Sequence, residues 1–258
     1  MTKGETFEGL HASEPFVIPN PWDAGSAKVL ERLGFKALAS TSSGFAYSLG
    51  RRDGEVTLDE VIAHTATLND ATNLPVAVDL EHGYGSRPED AALAITRAAE
   101  AGAVGGSIED YDPSGHLYDT GHATERVAAA AEAARGVGSP FTFAARAENH
   151  IRGNPDLDDT IARLQAYEAA GADVLYAPGL KSVEEIRAVC DAVSKPVNVL
   201  ARPHLSFADI AGAGAQRVSV GGALTWVSVA GLVSAAEAIR DRGDFSALAA
   251  GVNIDEWL

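Results

Sequence analysis

The sequence predicts a (β/α)8 barrel. Eight short β-type runs recur along 258 residues, and Ala-, Glu- and Leu-rich stretches with helical spacing separate them. A doubly wound open sheet would want a G-x-G-x-x-G phosphate loop after an early strand, and none is present. No Pro/Gly/Ser linker or low-complexity segment splits the chain, so residues 1–258 read as one domain.

In order, FVIP (16–19) leads into DAGSAKVLERLG, where Asp23 is the N-cap and Gly34 the stop. FKALAS (35–40) follows. PVAVDL (75–80) precedes RPEDAALAITRAAEAGA, which has Pro88 near its start and Gly102 past its end. VGGSIE (104–109) and FTFAAR (141–146) come next, then DLDDTIARLQAYEAAGA, ending at Gly171. ADVLYA (172–177), PVNVLA (196–201) and QRVSVG (216–221) complete the set.

Composition narrows the function. Hydrophobic residues make up 46%, enough for a substantial core. Twenty Lys and Arg against 36 Asp and Glu give a net charge of −16. That balance argues against nucleic acid and against anionic membrane surfaces, and it makes a metal cation the more natural partner. The single cysteine, Cys190, allows no internal disulfide and points to a reducing compartment. It lies in EEIRAVCDAV, where a small core residue is expected rather than a nucleophile. The N-terminus has no apolar signal core, and no apolar run is read as reaching membrane-span length. The expected location is cytoplasmic.

The chemistry centres on AVDLEHGYG (77–85). Alternate residues of a strand share a face, so Asp79 and Glu81 are expected together at the carboxyl end of the third strand. SIED places Glu109 at the same height on the next strand. Three converging carboxylates repel one another unless a cation lies between them. An all-oxygen set favours Mg2+, with Mn2+ as the alternative, over zinc.

Several segments together resemble one family. PNPWDAGSA (19–27), STSSGFAYSLGRRDG (40–54), VDLEHGYG (78–85), GSIED (106–110) and AARAE (144–148) occur in the order and spacing of the isocitrate lyase/phosphoenolpyruvate mutase superfamily. The resemblance covers nearly the whole chain. It implies a TIM barrel whose last helix packs on a neighbouring subunit in a homotetramer. It also implies magnesium and a 2-oxo or 2-hydroxy acid, or its enolate, as the reacting species. By resemblance, Asp79 is the direct metal ligand, Glu81 and Glu109 bind directly or through water, and Asp53 joins the metal's water shell. Arg146 matches the arginine that contacts the substrate. Trp22 and Asp23 match an aromatic–Asp pair beside it. Thr41, Ser42, Ser43 and Gly44 match the turn that holds its carboxylate. A metal polarising the 2-oxo group, with Arg146 adding fixed positive charge, stabilises a developing enolate. An ion pair from Arg146 to Glu148 is compatible with that role.

The loop after the fourth strand departs from the family. The carbon–carbon lyases carry Lys-x-Cys-Gly-His there, whereas EDYDPSGHLYDTGH (109–122) has neither lysine nor cysteine. The phosphonate enzymes carry Lys after the ED and Asn or Thr on the loop, whereas here Tyr111 follows Asp110 and the loop has no Asn. Residues 111–121 are expected to form a mobile lid, on which Tyr111, Ser114, His116 and Tyr118 set the substrate. His116 and His150 are the candidate acid–base imidazoles. The expected activity is Mg-dependent cleavage of a C–C bond in a 2-oxo or 2-hydroxy diacid, of lyase, decarboxylase or hydrolase type. The alternatives are P–C bond chemistry and a barrel that binds a 2-oxo acid without turnover.

Overall fold

The computed structural model describes residues 1–258, except for the side chain of residue 250. All eight expected strands form. In chain order the strands are β1 (Phe16–Ile18), β2 (Leu38–Ala39), β3 (Val76–Asp79), β4 (Gly105–Glu109), β5 (Tyr111–Asp112), β6 (His116–Leu117), β7 (Thr142–Arg146), β8 (Val174–Tyr176), β9 (Val197–Leu200) and β10 (Arg217–Ser219). Eight of them pair in parallel in the order β1-β10-β9-β8-β7-β4-β3-β2. Ala39 N donates to Pro19 O at 3.1 Å and Asn20 Nδ2 to Ser40 O at 3.0 Å, which closes the ring. The fold is a (β/α)8 barrel.

The expected helix signals act as read. Asp23 caps α2 (Ala24–Arg32), Pro88 opens α5 (Pro88–Glu100), and α7 (Leu157–Ala169) stops before Gly171. The outward faces of the strands and the inner faces of these helices share one apolar layer, which includes Val78, Ile95, Phe143, Leu164 and Leu175. A second, smaller cluster lies inside the barrel floor. There α1 (Lys3–His11) inserts Phe7, fully buried, against Phe16, Ile18, Ala37 and Ala77. Above it the barrel is lined by small residues, among them Ala39, Ala77 and Ser107, so the interior stays open at the carboxyl ends of the strands.

Two features go beyond the sequence reading. The loop after β4 carries an antiparallel ribbon of β5 and β6, pairing Tyr111 with Leu117 and Asp112 with His116. And α10 (Ala223–Arg242) is long and apolar enough to cross a membrane by length and composition, with a mean hydropathy of 1.2, although no such run was expected. Its Ala, Gly and Val content hides the run from the eye. Among the described residues only Thr225 and Ala238 of this helix are buried, so most of its surface is bare. The last segment returns toward the barrel, where Arg32 Nη1 donates to Glu256 O at 3.0 Å.

Candidate active site

Three neighbouring strands bring charge together at one end of the barrel. Glu109 is the register partner of Arg146, and Arg146 that of Tyr176. Arg146 Nη1 lies 3.1 Å from Asp79 Oδ1, and its Nη2 lies 3.0 Å from Glu109 Oε2 and 2.8 Å from Glu148 Oε1. Its guanidinium also stands 5.0 Å from the centre of the Tyr176 ring. Burial works against the charge, yet Glu148, Glu109 and Asp79 together hold the Arg146 pKa well above its ordinary value. Glu148 is fully buried and was read only as a partner for Arg146; it also takes Arg152 Nε at 3.1 Å.

Strand alternation carries the acid motif only as far as Asp79. Leu80 turns outward into the core, and Glu81 sits in a left-handed turn at φ 47°. That turn still returns its carboxylate to the rim, where Tyr84 Oη donates to Glu81 Oε1 at 2.8 Å. Burial, reinforced by Asp79, pushes the Glu81 pKa up to about 7. Asp53 is raised by burial and by Asp79, against a hydrogen bond from Ser42. Burial likewise raises Glu109 well above its usual range.

These groups test whether a cation fits. Asp53, Asp79, Glu81, Glu109 and Glu148 face two guanidinium groups, Arg146 and Arg152, so the rim carries excess negative charge in an all-oxygen donor set. That chemistry suits a hard divalent cation. Asp79 Oδ2 accepts no hydrogen bond from the described residues and is free to ligate. The acids are not drawn into one ligand cluster, however: among the described residues no three His, Cys, Asp or Glu side chains stand close enough to share an ion. Arg146 stands between Asp79 and Glu109 instead.

Below the rim lies a cavity of about 170 Å³. Thr41, Ser42 and Ser43 line it, as expected, because α3 (Ser42–Ser48) starts there with Thr41 as its N-cap. Gly44 does not reach the cavity. Its missing side chain makes room, since a Cβ would lie 2.6 Å from Thr225 Oγ1 and 3.0 Å from Trp22 Cβ. Asp53, Asp79 and Arg146 also line the cavity.

Other expected site residues stand outside it. Asp23 faces solvent because its carboxylate is used as the α2 cap, accepting from Ser26 N at 2.7 Å. Trp22 beside it is half-buried and does not line the cavity. His116 is exposed on the ribbon, 3.3 Å from Ser114 Oγ. Tyr111 lies under Arg152, whose guanidinium is 4.1 Å from its ring centre, so it touches the site through Arg152. His150 is buried against Thr160, at 3.3 Å. Burial pushes the Cys190 thiol up to about 11, which makes it a poor nucleophile.

The phosphoenolpyruvate phosphomutase family model matches residues 7–240. The chain belongs to this family. Within it, a solved protein from Burkholderia cenocepacia J2315, described as of lyase/mutase type, is 47% identical over 99% of this chain and 95% of its own, with a TM-score of 0.96. A 2-methylisocitrate lyase from Halalkalibacterium halodurans is 34% identical over 70% of this chain and 61% of its own length. An oxaloacetate decarboxylase from Paraburkholderia xenovorans is 33% identical over 71% of this chain and 63% of its own length. The chain thus spans less than two thirds of those two enzymes.

Proposed function

We propose that this chain is a magnesium-dependent enzyme that cleaves a C–C bond of a 2-oxo or 2-hydroxy diacid. The observation that carries the reading is Arg146, gripped by three carboxylates at the mouth of a small cavity lined by Ser42 and Ser43, beside an Asp79 oxygen left free. Relatives within its family include a 2-methylisocitrate lyase and an oxaloacetate decarboxylase, both named for small acids. Asp79 would hold the cation, with Glu81 and Glu109 directly or through water and Asp53 in its water shell. The cation supplies Lewis-acid polarisation of the 2-oxo group.

The chain's own residues do the rest. Ser42 and Ser43, in the first turn of α3, face the cavity and receive the substrate carboxylate. Arg146 is fixed by Glu148 before substrate arrives, so its charge needs no reorganisation as enolate charge develops. The ribbon of β5 and β6 starts two residues past Glu109 and meets the rim through Tyr111 and Arg152, where its closure over the substrate would exclude water from the reacting carbon. P–C chemistry is the second reading, favoured by the family description. Against it, the ribbon carries no lysine or asparagine.

A homo-oligomer, a tetramer by family resemblance, is part of the proposal. Trp226 (47% exposed) and Val233 (48%), seven residues apart on α10, share a face that a second copy would cover. A cytoplasmic location agrees with the single free cysteine. Turnover of oxaloacetate, phosphonopyruvate and 2-alkylmalates, each with and without Mg2+, tests the activity. Cleavage of a diacid only with Mg2+ supports it; turnover of phosphonopyruvate alone would replace it with P–C chemistry.

A further inference from the structure

The cavity has a charged floor that the reaction above does not use. Arg217 enters it from β10 and is 6% exposed. The other cavity arginine, Arg146, has three carboxylates around it. Arg217 has none within ion-pair distance.

Every partner of Arg217 is neutral. Its Nε donates to Asn198 Oδ1 at 2.9 Å. Its Nη1 lies 3.3 Å from His11 Nε2. His11 Nδ1 lies 2.8 Å from Phe7 O, so Nδ1 carries the proton and Nε2 is the acceptor for Arg217. Burial, and then the Arg217 charge, push the His11 pKa down to about 3, so it offers no charge of either sign. Asn198 Nδ2 is spent on Ser219 Oγ at 3.0 Å. Burial lowers the Arg217 pKa only to about 10, which leaves it a cation at neutral pH.

A buried charge without a counter-charge is costly, and folded chains keep such groups where something else neutralises them. Arg217 Nη2 has no protein partner, yet it is not among the fully enclosed unpartnered atoms. Arg217 lines the catalytic cavity and not the small pocket beneath α1.

We propose that the barrel floor is a second anion subsite, in which Arg217 takes the distal carboxylate of the substrate. The rim then holds the 2-oxo carboxylate end and the floor the other end. This deepens the diacid reading and rests on it. It also assigns the substrate's chain length. About 170 Å³ suits a short diacid lying lengthwise down the barrel, and Phe7 closes the space below. Arg217 selects dianions over monoanions, while Arg146 serves both.

The test is calorimetric binding to the full chain in saturating Mg2+. The probes are pyruvate, with one carboxylate, and 3,3-difluorooxaloacetate, with two. Wild type should bind the diacid about 100-fold more tightly than pyruvate. Arg217→Gln should bring diacid affinity down to the pyruvate level and leave pyruvate unchanged. Arg217→Lys, which keeps the charge without the fork, should fall between. Equal affinity of wild type for the two probes overturns the subsite and leaves the 2-oxo acid reading standing. A parallel loss of both probes in Arg217→Gln also overturns it, because that is the signature of a structural role. Should Arg217→Gln not fold, the wild-type pair and Arg217→Lys decide. If neither probe binds wild type, the diacid reading fails and takes the subsite with it.

Discussion

Glu148 holds Arg146 from behind, Oε1 to Nη2 at 2.8 Å and to Nε at 3.1 Å, while the opposite edge of the guanidinium faces Asp79. A fully buried carboxylate thus fixes the group that meets the substrate. Arg146→Lys keeps a positive charge but loses the fork, and should lower kcat/KM by about 10³-fold. Steady-state kinetics check this, and a loss under tenfold would place the chemistry elsewhere.

Glu148→Gln keeps the shape and removes the charge. Arg146 would retain Asp79 and Glu109, whereas Arg152 would lose its closest ion pair. The expected outcome is a loss of about 3 kcal/mol in stability, since breaking a buried pair strands its partners. The fall in kcat should exceed any change in KM. Urea denaturation beside kinetics separates the two effects.

Acid should weaken the fold through a buried histidine. His64, on α4 (Leu58–Ala71), stacks on Phe45 at 3.8 Å and meets the Trp22 carbonyl at 3.0 Å. Burial pushes its pKa down from 6.5 to about 4. The unfolded chain therefore takes up this proton near pH 6.5 and the folded chain only near pH 4. The contribution is intact above 6.5, declines by about 1.4 kcal/mol per pH unit down to about 4, and is flat below. His11 acts with the same sign. His64→Gln should flatten part of the slope of stability against pH. An unchanged slope would show that His64 is not its source.

The ribbon reaches the site through one contact. Tyr111→Ala removes the ring beneath Arg152, which also pairs with Glu148 and lies 3.5 Å from Glu109. The expected effect is about a tenfold fall in kcat/KM, with Mg2+ affinity nearly constant. His116→Ala, on the exposed side, should change neither. A large loss with His116→Ala would mean that the ribbon turns inward during turnover.

The barrel was legible because short apolar β-type runs recur between helical stretches whose caps work locally, as at Asp23 and Pro88. Asp79 was legible as a strand-end residue of fixed parity, and Arg146 through the family resemblance of AARAE. Glu81 was placed by a parity that the left-handed turn cancels. Arg217 escaped notice although its signal was present. In QRVSVG, Val218 and Val220 alternate with Arg217, Ser219 and Gly221, and a barrel strand turns its valines toward the helices. The polar set must then face the interior. The ribbon and the plug helix α1 gave no such signal. Their strands and contacts are short, and Phe7 finds its place only once the ring has closed beneath it.

The central claim is that the strand-end acids and a divalent cation together create the substrate site. Calorimetric titration of oxalate, a planar stand-in for a pyruvate enolate, tests this most directly when run with and without Mg2+ on wild type and Asp79→Asn. The account predicts that oxalate binds wild type only with Mg2+, and that Asp79→Asn weakens that binding by at least 100-fold while the fold is kept. Equal oxalate affinity with and without Mg2+, or full affinity in Asp79→Asn, would contradict it.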